Sequence, residues 1–324
     1  MDSTPLPRNS DELLAAVAAS GSTPDVDWTV GIEDATRISV ENFIGDQLIV
    51  RTQASHGLIR LTGDGVVGHA ASASDVASVI TGFQRLVTAV GASLEAGNTS
   101  LRGQIASTIQ HRTRLRLVAS PAPGSLVLNL SPEAPPEAEV SPGGQGSMFG
   151  EATPLADQVV TELVGLLGDA TDLGPDPDTS PFLTRVEALG PRSAAALRTF
   201  AMALSTGNFD TEVGWAIPQR ATVKVSVDHL VAAEVARLVE ARNLDAENVT
   251  IEGEMRTVSD LTGWVVDSVD GERYQVDGSA IEPDVVNTLH PHARVRIAAD
   301  MVPTRHVGGS FRYSYLAKSV EVVS

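Results

Sequence analysis

Within residues 75–97 the chain places Val76, Val79, Ile80, Phe83, Leu86, Val87, Val90 and Leu94 at steps of three and four. That spacing puts them all on one side of an α-helix, with Asp75 to open it and Gly97 to stop it. A helix with a single apolar stripe has to bury that stripe against another layer. The neighbouring sequence offers extended segments at 28–32, 37–40 and 47–61, then 114–119 and 125–130. The last two are joined by Ser120-Pro-Ala-Pro-Gly124, which reads as a hairpin turn. A first helix over 11–20 is capped by Ser10 and stopped by Gly21. Residues 1–130 therefore read as an α+β domain.

Residues 131–152 are rich in Pro, Gly and Glu and lack periodicity, so the expectation is a flexible linker. Residues 153–244 read as a helical and hairpin region. A helix starts after Thr153-Pro154 and ends at Gly168; a second begins near Pro191 and ends at Gly207. The hairpin 211–217/221–227 follows, then a helix capped by Asp228 that runs to Arg242. Helix-then-hairpin thus occurs twice, at 75–130 and 191–227, without residue matches that would define a repeat.

From 245 to the end the order is three strands, a helix opened by Pro283, and two more strands. Gly253 falls midway along the first of them, where a tightly curled sheet would bend. Five strands with one helix between the third and fourth is an order that resembles the OB-fold. The resemblance is one of topology and implies a small five-stranded β-barrel. The fold class expected is multi-domain α+β, ending in that barrel.

Composition narrows the function. With no cysteine the chain has no disulfide, thiol nucleophile or thiolate-bound metal. No apolar run approaches a membrane span, and the first residues lack the pattern of a secretory signal, so the expected site of action is the cytoplasm, with no membrane partner. A net charge of −18 argues against a general nucleic-acid coat. Charge is uneven, however: no acid occurs between Glu95 and Glu133, a stretch that holds Arg102, Arg112, Arg114 and Arg116.

Two segments are candidate binding surfaces. In the acid-free stretch Arg112, Arg114 and Arg116 alternate, so one extended strand would line them up for phosphates or carboxylates. Near the end, Phe311-Arg312-Tyr313-Ser314-Tyr315 follows Arg305 and His306 and contains two of the three tyrosines. Alternation puts Phe311, Tyr313 and Tyr315 on one face, where they either stack bases or fill a core. The same alternation turns Val320 and Val322 to the opposite face. A bulge between Tyr315 and Val320 would remove that conflict.

No catalytic motif selects itself. No nucleophile elbow, phosphate-cradling loop or dinucleotide fingerprint is present. His290-Pro-His292, with Asp300 and His306 as further ligand candidates, reads as a surface turn, and the acids of 169–178 do not follow a calcium-loop spacing. No cofactor or metal is expected. The leading expectation is a non-catalytic interaction or scaffold protein of a larger assembly. Its partner is another protein, with nucleic acid as a further candidate through the arginine and aromatic surfaces. The alternatives are an enzyme with an inter-domain pocket using His56, His111 or His306, and an acidic mimic of nucleic acid.

Overall fold

The computed structural model describes residues 53–68, 70–97, 100–118, 125–136, 139, 153–174, 180–259, 262–305 and 311–323. All of them lie in one compact unit, Leu48–Ser324. The expected helix at 11–20 and strands at 28–32 and 37–40 lie outside the described residues.

The amphipathic stripe forms α1 (Ala73–Ala96), and Gly97 ends it in the left-handed conformation, φ 58°. Its stripe, apart from the exposed Leu94, packs into a core, with Phe83 against Phe200, that is shared with an antiparallel sheet built from β1 (His56–Thr62), β4 (Leu115–Val118), β5 (Leu126–Pro132), β6 (Asp210–Ala216) and β7 (Val223–Val227). A separate two-stranded ribbon, β2 (Val66–Val67) and β3 (Ala70–Ala71), precedes α1. The strand order of the large sheet is β4-β5-β1-β6-β7. The two helix-then-hairpin stretches therefore flank β1 on opposite sides. Strands from before and after 131–152 share one sheet and one core, so residues before 130 and residues 153–244 form a single body here instead of two regions.

Alternate residues of the strands, among them Ile59, Leu61, Leu128, Leu130, Val213 and Trp215, are buried in that core. The helices α3 (Leu155–Thr171), α4 (Pro181–Thr206) and α5 (His229–Ala241) join α1 over them. The helix expected to stop at Gly168 continues to Thr171, because burial of Leu166, Leu167 and Ala170 outweighs one glycine. The helix expected near Pro191 is the second half of α4. Its first half ends at Gly190, φ 79° and ψ 175°, where Pro191 cannot continue the ladder. A carboxylate sits deep in this core. Asp157 is 1% exposed and accepts the Trp215 Nε1–H at 2.8 Å. Gly57 lies under that indole; a Cβ there would come within 2.5 Å of the ring.

A closed barrel follows, built from β8 (Glu247–Thr257), β9 (Trp264–Ser268), β10 (Arg273–Asp277), β11 (Arg294–Arg305) and β12 (Phe311–Val322). The order around it is β10-β12-β11-β8-β9, with β10 and β12 parallel and the other neighbours antiparallel. This is the order of an OB-fold barrel. The short helix α6 (Pro283–Val286) lies between the third and fourth strands, and Ile281, Val286 and Leu289 around it pack on the barrel core. Gly253 does what its position suggests. A Cβ there would lie 2.2 Å from the Asp267 carbonyl oxygen, so only glycine lets β8 curl this tightly against β9.

Candidate binding site at the end of the barrel

The bulge expected in the last strand is present. Ala298 pairs with Ser319 but Ala299 pairs with Ala317, which leaves Lys318 as the extra residue. Its ammonium turns outward to Asp300 at 2.8 Å and Asn248 at 3.0 Å. The slip brings Tyr315, Ala317 and Val320 to the inner side together. Tyr315 packs on the barrel core, while Tyr313 remains 39% exposed. The barrel ends at this level, so the two tyrosines mark its rim, opposite the end that α6 covers.

That rim is occupied by residues 100–103, which follow α1. The Arg102 guanidinium lies over the rings of Tyr274 and Tyr315, 5.2 and 5.7 Å from their centroids. The two rings meet edge to face at 5.2 Å and 87°. Arg102 also donates from Nη2 to the Tyr315 hydroxyl and from Nε to the Met301 sulfur, both at 3.4 Å. Contacts of this kind combine cation–π attraction with stacking of the planar guanidinium. The backbone is held as well. The Tyr313 hydroxyl donates to the Leu101 carbonyl at 2.9 Å, and the Leu101 N–H donates to Glu247 Oε2 at 2.5 Å. The Ser100 hydroxyl donates to both oxygens of the same carboxylate, at 2.8 and 3.0 Å. On the side of the body Arg192 donates to the carbonyls of Ser100, Arg102 and Gly103.

At this rim the acid-free stretch supplies Arg102 and the aromatic strand supplies Tyr313 and Tyr315, whereas the candidates Arg112, Arg114 and Arg116 lie elsewhere. Arg312 is exposed on β12. Arg305 and Phe311 pair across the β11–β12 ladder, their side chains lying outside the description, and His306 lies outside the described residues. Glu247, Tyr274 and Arg192 were not among the sequence candidates. Tyr274 is the third tyrosine of the chain, but only the parallel pairing of β10 with β12 brings it beside Tyr315.

Arg112, Arg114 and Arg116 do not share a strand face. Arg112 lies in the short helix α2 (Ser107–Thr113), Arg114 follows as its C-cap, and Arg116 alone is in β4. Burial of Ile109 and Thr113, one helical turn apart, favours a helix where alternation of the arginines suggested a strand. Arg112 is bound by Glu95 and by Glu139 at 2.7 Å, and Glu139 also accepts the first N–H of α3 at 2.9 Å. Arg114 and Arg116 are exposed and stand 3.7 and 3.8 Å from Glu133, with His111 at 3.8 Å from the same carboxylate.

The outer wall of β8, β9 and β10 carries ion pairs. Asp267 accepts from Arg256 Nε and Arg273 Nε, each at 2.7 Å, and these hydrogen bonds hold its pKa down to about 2. His292 Nδ1 lies 2.6 Å from Glu254, and the Nδ1 of His290 lies 3.0 Å from the Pro291 carbonyl. Among the described residues, no three of His, Asp or Glu converge as metal ligands, and no helix is long and apolar enough to cross a membrane.

Fold and site together define an α+β body carrying an OB-order barrel. No protein-family model and no curated protein matches the chain. Among solved structures it is similar to the mitochondrial single-stranded DNA-binding protein Rim1 of S. cerevisiae. The identity is 17% and the TM-score 0.22, over 24% of this chain and 95% of that one. The class of the barrel rests on its own strand order.

Proposed function

We propose that the protein acts by binding, as an interaction module of a larger assembly, and that the tyrosine end of its barrel takes polypeptide. The observation that carries this reading is the occupant already there. A stretch of main chain is held at the barrel rim by one N–H to Glu247 and one carbonyl to Tyr313, with an arginine laid on two tyrosines. Backbone capture plus one side-chain anchor is the chemistry of peptide recognition. The wall that OB barrels use for oligonucleotides supports the same choice. Here it carries Arg256 and Arg273 paired with Asp267 and Glu254, so its cations are matched by carboxylates of the barrel itself.

The test places a photo-crosslinking phenylalanine analogue at Arg312, beside the site, in the full chain. Irradiation in extract of the source cell is expected to give adducts that resist nuclease and contain peptide from one partner. Nuclease-sensitive adducts, or saturable binding of a labelled oligo-dT at low salt, would overturn it. A second reading, single-stranded nucleic acid, is favoured by the OB strand order. It predicts that saturable binding and that its affinity falls with added salt.

A further inference from the structure

Residues 100–103 meet the barrel as a bound peptide meets its receptor, yet they belong to the same chain. Leu101 is 6% exposed, its backbone is gripped on both sides, and the exposed Arg102 lies over the rings of Tyr274 and Tyr315. The stretch is bounded by Gly97 and Gly103, at φ 58° and 79°, and neither has an atom within 4 Å of where a Cβ would stand. Glycine suits both positions because of the left-handed backbone and not because of packing; the Gly97 N–H is bonded to the end of α1 and the Gly103 carbonyl to Arg192. The segment is held by the buried Leu101 side chain, by charge-assisted hydrogen bonds to Glu247 and Arg192, and by the cation–π contacts of Arg102.

The barrel has a second, independent attachment. It continues directly from α5 through residues 242–246, where Asp245 is buried and bound to Arg198 at 2.9 Å. Departure of the segment would therefore leave the barrel anchored to the body.

We infer that residues 100–103 are a pseudo-ligand. They occlude in cis a site for an extended segment of another polypeptide in which an apolar residue precedes an arginine. This rests on the reading of the barrel end as a polypeptide site. It adds that the site is closed in the resting state and opens when the segment leaves. An outside peptide then binds only the open fraction, so its apparent affinity in the native protein is reduced by that fraction.

The experiment uses a fluorescein-labelled peptide with the sequence of residues 97–105, Gly-Asn-Thr-Ser-Leu-Arg-Gly-Gln-Ile. Its anisotropy is titrated with the full-length native protein and with full-length Arg102→Ala. A second variant, Arg192→Ala, loosens the segment from the body without touching the barrel. Both variants are expected to bind the peptide at least about tenfold more tightly than the native chain. Adding Tyr315→Ala to either, or replacing the arginine of the peptide by alanine, is expected to abolish that gain. Native-like circular dichroism shows that a variant is folded. Equal binding by native protein and both folded variants overturns the cis occlusion while leaving the polypeptide site standing. No binding by any of them overturns both.

Discussion

The body and the barrel close their cores by different means. The body packs a sheet and its helices into one core, and its buried carboxylates are answered from within, Asp157 by Trp215 and Asp245 by Arg198. The barrel has a smaller core and two open ends. Its own helix α6 lies at one end, and a piece of the body lies at the other. A core that borrows one of its lids is tied to whatever controls that lid, and this is what turns the tyrosine rim from packing into a candidate site.

The contrast can be broken most directly by damaging each core. Trp215→Ala is expected to cost about 3–5 kcal/mol, from the cavity it leaves and the donor it takes from Asp157. Gly253→Ala is expected to cost about 1–3 kcal/mol, because its methyl group would press on the Asp267 carbonyl. Hydrogen exchange read by mass spectrometry should show lost protection in β8 and β9 for the second variant, with α1 and α4 unchanged. Loss throughout both parts would mean that body and barrel unfold as one, and the contrast would fall.

A smaller effect separates the arginines. Arg112→Glu is expected to destabilise by about 2 kcal/mol in urea titration, since it removes the charged donor from Glu139, whose side chain is only 7% exposed. Arg116→Glu, exposed at 64%, should stay within about 0.5 kcal/mol. Equal effects would show that the ion pairs of Arg112 do not anchor the body.

The smallest effect concerns pH. His229 Nδ1 lies 2.8 Å from Asp210, which raises the histidine above its ordinary 6.5 and lowers the carboxyl below its ordinary 3.8. Asp228 and Asp64 add to the pull on the histidine. The raised histidine stabilises fully below 6.5, and its contribution fades as pH rises through the folded value. The lowered carboxyl stabilises above 3.8 and is lost as pH falls through its folded value. The difference in Tm between native protein and His229→Gln should therefore peak between those two values. A difference that does not vary from acid to alkaline pH would remove the pair from the account.

Much of the framework was legible along the chain. The stripe from Val76 to Leu94, the Asp228 cap whose side chain accepts from Val231, and the five-strand order after residue 245 each follow from local spacing. Local periodicity and caps act over a few residues, so sequence displays them directly. The bulge at Lys318 was legible for the same reason, because its two flanks disagreed about which face is inside. Alternation failed at Arg112, where burial of Ile109 and Thr113 decided for a helix.

The sequence alone determined that Phe311-Arg312-Tyr313-Ser314-Tyr315 would form the last strand of a small barrel. Only the tertiary structure decided what its tyrosines meet. Arg102 and Tyr315 are 213 residues apart, and Tyr274 joins them through a parallel pairing that no local pattern encodes. Contacts at such separation are set by how closed layers dock. Their energy depends on geometry that exists only after both cores have formed.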